Sequence, residues 1–235
     1  MSAQRLPGKP LLEINNIPVI SHVVKRGQEA NIGEVVVCAE DEAIISAVKK
    51  NGDKAILTGS QHRNGTERIF EGLQKLNINN VDYIMSLQGD EPAINPNDIK
   101  NLYNFMTQYN PDIGTLASEV KENSMLHNEN IVKVKTIKKL KKDNFVEAIN
   151  FSRNNLSKEN SNVYHHIGIY CYKISALKKF VNLEQTKNEK ENRLEQLRAI
   201  DNNMQINVAL AKSSPIGIDT EEDYLALKKI MEYKS

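Results

Sequence analysis

Short runs of β-branched residues alternate with longer stretches whose apolar residues recur at helical spacing, and this alternation narrows the folds open to the chain. Residues 34–39, Glu-Val-Val-Val-Cys-Ala, read as a fully buried strand. Residues 41–50 follow as a helix with Ile44, Ile45 and Val48 on one face. Residues 55–57 form a short strand, and 66–76 a helix carrying Ile69, Phe70 and Leu73. Another strand spans 83–87, ahead of a helix near 96–109. Strands and helices in this order build right-handed βαβ units around a mostly parallel sheet.

The second half changes character. Residues 113–118, 131–137, 146–151 and 165–172 are strand-like, with fewer helices between them. Mixed or antiparallel pairing is expected there, in a lobe that also serves dimerisation. Thr220-Glu221-Glu222-Asp223 opens the last helix with a capping-box-like pattern. Lys228, Lys229 and Lys234 near its end suit the helix dipole. With no internal repeat and no Pro/Gly-rich linker, the expectation is a single α/β domain over 1–235.

Charge and length exclude several classes. A chain of 235 residues buries a sizeable core, and 31 basic against 30 acidic side chains give no global pull toward nucleic acid or membrane. The apolar runs are too short to span a bilayer, and the first residues lack a signal peptide's apolar segment. Cys38 and Cys171 suggest neither a zinc site nor a disulfide scaffold. A cytoplasmic protein is expected. Six lysines lie between Lys133 and Lys142, but without interleaved aromatics they read as a solvated hairpin.

Three clusters can carry chemistry. In Arg5-Leu6-Pro7-Gly8-Lys9-Pro10-Leu11, two cations four residues apart flank a Pro-Gly turn and can converge on one anion. The pattern is not a Walker loop, and a solvated basic turn is its plain alternative. Gln88-Gly89-Asp90-Glu91-Pro92 directly follows an apolar strand, where ligands bind in open α/β sheets. Carboxylates there can hold Mg²⁺, or Asp90 can simply cap a turn. Gly217-Ile218-Asp219-Thr220 sits at the mouth of the last helix, where Asp219 is either a helix-start acid or a metal ligand. A cationic turn plus two separated loop carboxylates is what metal-assisted transfer of a nucleotide phosphate needs. His165 and His166 are adjacent in a strand and point to opposite faces, His165 sharing the core-like one with Ile167, Ile169 and Cys171.

These segments occur in order with His62-x-x-Gly65-Thr66-Glu67-Arg68, Val132-Lys133-Val134, Phe151-Ser152-Arg153, His166-x-Gly168-Ile169-Tyr170 and Leu194-Glu195-Gln196-Leu197-Arg198. Together they resemble the 3-deoxy-manno-octulosonate cytidylyltransferases, or CMP-Kdo synthetases, over essentially the whole chain. The resemblance implies a Rossmann-like nucleotidyltransferase fold, a homodimer, and the Mg²⁺-dependent reaction CTP + Kdo → CMP-Kdo + pyrophosphate, for lipopolysaccharide biosynthesis. By matching position, Arg5 and Lys9 grip the triphosphate, and Asp90 and Asp219 carry Mg²⁺. Gln88 and the Gly65 region seat the cytidine. Arg68, His166, Glu195 and Gln196 face the acidic sugar, for which a guanidinium–carboxylate pairing suits Arg68.

Departures from the family pattern add further expectations. The family's first apolar strand, ending in an Ile-Pro-Ala-Arg-like sequence, has no counterpart after Met1, so the central first strand is expected to be missing, through a misplaced start codon or a true truncation. Asn64, Asn192 and Asn154-Asn155-Leu156 replace the usual residues near the sugar motifs. The alternatives are a cytidylyltransferase for 8-amino-Kdo or a nonulosonic acid, and a truncated, non-catalytic CTP-binding homologue.

Overall fold

The structure is a computed structural model that describes residues 6–78, 80–154, 156, 162–214 and 217–232. A 3-10 turn at Lys9–Leu11 leads into β1 (Glu13–Ile14), β2 (Ile17–Pro18) and α1 (Val19–Ala30). Next come β3 (Val36–Ala39), α2 (Glu42–Lys50), β4 (Lys54–Leu57), α3 (Gly65–Leu76), β5 (Tyr83–Ser86) and α4 (Pro96–Tyr109). Then follow β6 (Ile113–Ser118), α5 (Asn123–His127), β7 (Lys133–Thr136), β8 (Phe145–Ser152) and β9 (Val163–Lys173). Three short helices, α6 (Ile174–Val181), α7 (Lys187–Asn192) and α8 (Gln196–Asp201), precede β10 (Ile206–Leu210) and α9 (Glu221–Glu232). The elements gather into two compact units, one of Met1–Asn79, Ser86–Lys100 and Pro215–Ser235, the other of Asn80–Met85 and Asn101–Ser214.

In the first unit, β3 and β4 pair in parallel through the crossover helix α2, as the alternation requires. Asp41 caps α2 by accepting from the Ala43 amide at 2.8 Å. Ile20, Val24, Val37, Ala39, Ile45 and Val48 close one apolar cluster. Helix α1 is the element that periodicity does not announce. Its Val19, Ile20, Val23, Val24 and Gly27 are poor helix formers, and burial of that face overrides their propensity. The hairpin before α1 turns on Asn15 and Asn16, both left-handed at φ 53° and 60°, as a two-residue loop demands. Helix α9 opens with the expected capping box, Asp223 standing in the Glu position. Its carboxylate accepts from the Thr220 amide at 2.9 Å, and the Thr220 hydroxyl accepts from the Asp223 amide at 3.2 Å.

The second unit is built on a six-stranded sheet in the order β5-β9-β6-β10-β8-β7. The mixed second half is as expected, but the mostly parallel sheet is not. β6 and β10 pair in parallel, whereas β10–β8, β8–β7, β7–β9 and β9–β6 are all antiparallel. The reason is connection: the short link between β7 and β8 lets the chain turn straight back, so these two strands pair antiparallel, and β9 then runs antiparallel to both β7 and β6. The start of β9 also pairs with β7, so β9, β6, β10, β8 and β7 form a closed round of pairings. At Gly114 a Cβ would sit 2.5 Å from Met106 Sδ and 2.8 Å from Phe145 Cζ, so glycine lets α4 lie close on β6.

Candidate active site

Lys9, Asp90 and Asp219 come from three distant points of the chain and meet in the first unit. Gly8 supplies the left-handed turn, φ 71°, that starts the 3-10 turn and carries Lys9 inward. The Lys9 ammonium donates to the Asp90 carboxylate, to Ile218 O at 2.8 Å and to Asp219 Oδ1 at 3.4 Å. The two acidic loops are tied to each other by Ile218 N donating to Asp90 O at 2.9 Å. Beneath them, Ile14, Val19, Ile218 and Leu227 form a buried cluster joined by Leu6, Leu12, Ala93, Tyr224 and Met231. That packing draws the basic turn, the Gly89–Asp90 loop and the mouth of α9 to one place.

Charge is concentrated here. The Glu91 carboxyl is pushed up to about 8, first by burial and then by the neighbouring charges of Asp90 and Asp219. Its Oε2 is buried with no hydrogen-bond partner among the described residues. Asp219 is the open side of the group, its side chain 60% exposed. Asp90 and Asp219 already share one cation, the lysine ammonium, so their oxygens converge where a second cation can be bound. Among the described residues no group of three or more His, Cys, Asp or Glu side chains gathers for a metal. Two hard carboxylates with water and phosphate oxygens completing the shell suit Mg²⁺, which the donor set therefore fits.

The remaining expected residues lie elsewhere. Arg5 is outside the described residues. Gln88 shares the loop of Asp90, and its carbonyl accepts from the Glu91 amide at 3.3 Å. Gly65 is the first residue of α3, which Asn64 caps by accepting from the Glu67 amide at 2.9 Å. The Asn at this position thus performs a capping task that Ser performs equally well. Arg68 is clamped: it donates to Thr58 Oγ1 at 2.8 Å, to Gly59 O at 3.0 Å and to Glu40 Oε2 at 2.5 Å. Beside it, His62 and Lys75 pair with Glu71, whose carboxyl is held down at about 2 by them and by the Gly59 amide.

His166, Glu195 and Gln196 belong to the second unit. The structure reverses the expected faces of the two histidines: His166 is the buried one, 7% exposed, while His165 is only partly covered and meets Ser214 Oγ at 3.0 Å. A bulge in β9 breaks the alternation on which the expectation rested. Gln196 is buried at the start of α8, just after Glu195. Lys133 is a second correction, since it is fully buried and donates to Asn128 O at 2.7 Å and Arg153 O at 2.5 Å. The solvated reading holds for Lys138, Lys139, Lys141 and Lys142, which are exposed. Alternation gives no signal for this, because Lys133 lies in the opposite phase to Val134 and Thr136 and yet both phases are buried at this end of the strand.

A family model described as cytidylyltransferase matches residues 1–206. The chain belongs to the cytidylyltransferase family. Among its relatives in that family is the 3-deoxy-manno-octulosonate cytidylyltransferase of Afipia carboxidovorans, 38% identical over 232 residues, covering 98% of this chain and 93% of that one. The protein of the same name from Bartonella bacilliformis is 36% identical, covering 98% and 95%. A solved CMP:2-keto-3-deoxy-manno-octonic acid synthetase complexed with CTP superimposes with a TM-score of 0.88 at 30% identity, covering 99% of this chain and 95% of that one. An apo UDP-glucose pyrophosphorylase superimposes at 0.71 with 14% identity, a likeness of fold alone. This cytidylyltransferase therefore has an α/β nucleotidyltransferase fold, and the resemblance drawn from its ordered motifs is borne out.

Proposed function

We propose that this cytidylyltransferase activates 3-deoxy-D-manno-octulosonate, joining it to CTP to form CMP-Kdo and pyrophosphate for lipopolysaccharide biosynthesis. The observation that carries the reading is the meeting of Lys9, Asp90 and Asp219, in a chain more than 35% identical to enzymes of that name. The anomeric oxygen of the sugar forms a bond to the α-phosphorus as the bond to the pyrophosphate oxygen breaks. Lys9, with Arg5, binds the triphosphate and offsets the charge that builds on the leaving group. Asp90 and Asp219 are the residues that hold Mg²⁺, which when bound polarises the phosphate and orients the pyrophosphate. Gln88 and the Gly65 region seat the cytidine.

His166, Glu195 and Gln196 are assigned to the sugar. Arg68 is assigned separately to the sugar's carboxylate, which can replace that of Glu40, since both are planar acceptors for the same guanidinium. A homodimer is part of the proposal, with Ile137 and Ile149, 56% and 46% exposed on neighbouring strand segments, available to an interface. No described helix is long and apolar enough to cross a membrane, and we place the enzyme in the cytoplasm with its nucleotide. The test is Mg²⁺-dependent pyrophosphate release from CTP with and without Kdo. Release that requires Kdo supports the function, whereas a folded, CTP-binding protein silent with Kdo and active with another acidic sugar overturns it.

A further inference from the structure

The bulge in β9 places one hydroxyl among three polar atoms. Thr115 pairs with Tyr170 and the next residue, Leu116, with Ile167, so Gly168 and Ile169 are extra on the β9 side. The buried Thr115 Oγ1 lies 2.7 Å from Ile169 O, 3.3 Å from Ile167 O and 3.0 Å from His166 Nε2. A hydroxyl has a single proton to donate, and a backbone carbonyl can only accept. The proton therefore lies toward the carbonyls, closest to Ile169 O. Toward His166 the oxygen can only accept, because an unprotonated Nε2 there would set lone pair against lone pair at 3.0 Å.

The ring has one proton to place. His166 is buried, and burial, then the neighbouring His165, pushes its pKa down to about 3, so it is neutral at working pH. Phe151 stands edge-on to the ring with centroids 5.0 Å apart, and Tyr170 lies 5.5 Å away, which holds the ring's orientation. We propose that Thr115 is a positioning residue that fixes His166 as the Nε2–H tautomer, leaving Nδ1 as an acceptor for a hydroxyl of the sugar. The second half of this statement rests on the assignment of His166 to the sugar made above; the tautomer does not.

The experiment has two readouts. In histidine-labelled protein, nitrogen–proton correlation spectra report which ring nitrogen of His166 carries the proton. Nε2–H is expected in the wild type, and its loss or mixing is expected in Thr115→Val. Steady-state kinetics of the same variant should show the KM for Kdo raised about fivefold, the loss of one neutral hydrogen bond, with the KM for CTP unmoved. Thr115→Ser should restore both. A wild-type spectrum showing Nδ1–H overturns the tautomer and needs no variant. If Thr115→Val does not fold, Thr115→Ala takes its place. A lost Nε2–H signature with an unmoved KM for Kdo overturns the positioning role. His166→Ala separates the two ideas: if it too leaves that KM unmoved, the sugar assignment of His166 fails while the spectrum still decides the tautomer.

Discussion

Glu189→Gln is the substitution that tests most directly how the second unit holds the helix carrying Gln196. Arg198 is fully buried and Glu189 4% exposed, joined by two parallel hydrogen bonds, Nε to Oε2 at 2.8 Å and Nη2 to Oε1 at 2.6 Å. Phe180 lies 4.7 Å beneath the guanidinium, and Gln185 donates to Oε1 at 3.1 Å. The amide keeps the shape and removes the charge, so the buried guanidinium loses the Glu189 carboxylate that it grips with two hydrogen bonds. Such a loss costs about 3–5 kcal/mol. For a chain of this length that lowers the melting temperature by about 10 °C, at roughly 2–4 °C per kcal/mol. Removing both charges, as in Glu189→Leu with Arg198→Met, should cost less than Glu189→Gln alone, because the desolvation of the pair is recovered. Urea unfolding of wild type, single variants and the double variant measures the coupling. A Glu189→Gln protein within about 1 kcal/mol of wild type, or a double variant at the sum of its singles, would refute the reasoning.

Asp90→Asn and Asp219→Asn should each lower turnover by about a hundredfold or more through weakened metal binding, with the melting temperature little changed. A pyrophosphate-release assay across a Mg²⁺ titration checks this, and near-normal turnover of either variant at limiting Mg²⁺ removes that residue from the metal site. Because the pKa of His166 is depressed to about 3, the unfolded chain takes up its proton first as pH falls below about 6.5, so stability drops over that window. Between pH 6.5 and 5 the wild type should lose about 2 kcal/mol more than His166→Asn, measured by urea unfolding at both pH values. Lys133→Ala removes a donor from the carbonyls of Asn128 and Arg153, the former keeping the Ile131 amide, and should cost about 1–3 kcal/mol, with faster amide exchange around residues 128–134.

What the chain alone made legible is local. The helical spacing of Ile44, Ile45 and Val48, the strand ending at Ala39, and the Thr220 to Asp223 box all rest on neighbours in sequence and appear where expected. That strand, however, begins at Val36 and is half-buried in alternation, with Glu34 exposed, where a fully buried run over 34–39 was expected. The loops bearing Asp90 and Asp219 were legible as well, since one follows and the other precedes an element that the sequence announces, whereas the Lys9 turn was legible from its own Arg5 to Lys9 spacing around Pro7-Gly8. Their meeting across 81 and 210 residues was decided by tertiary packing, through Ile14, Val19, Ile218 and Leu227. The same holds for α1, whose β-branched residues become helical only because a core receives them. It holds too for the antiparallel sheet, for the burial of Lys133 and for the bulge that turns His166 inward. Periodicity records which residues can share a face; which strand pairs with which, and where a strand breaks step, depends on partners distant in sequence.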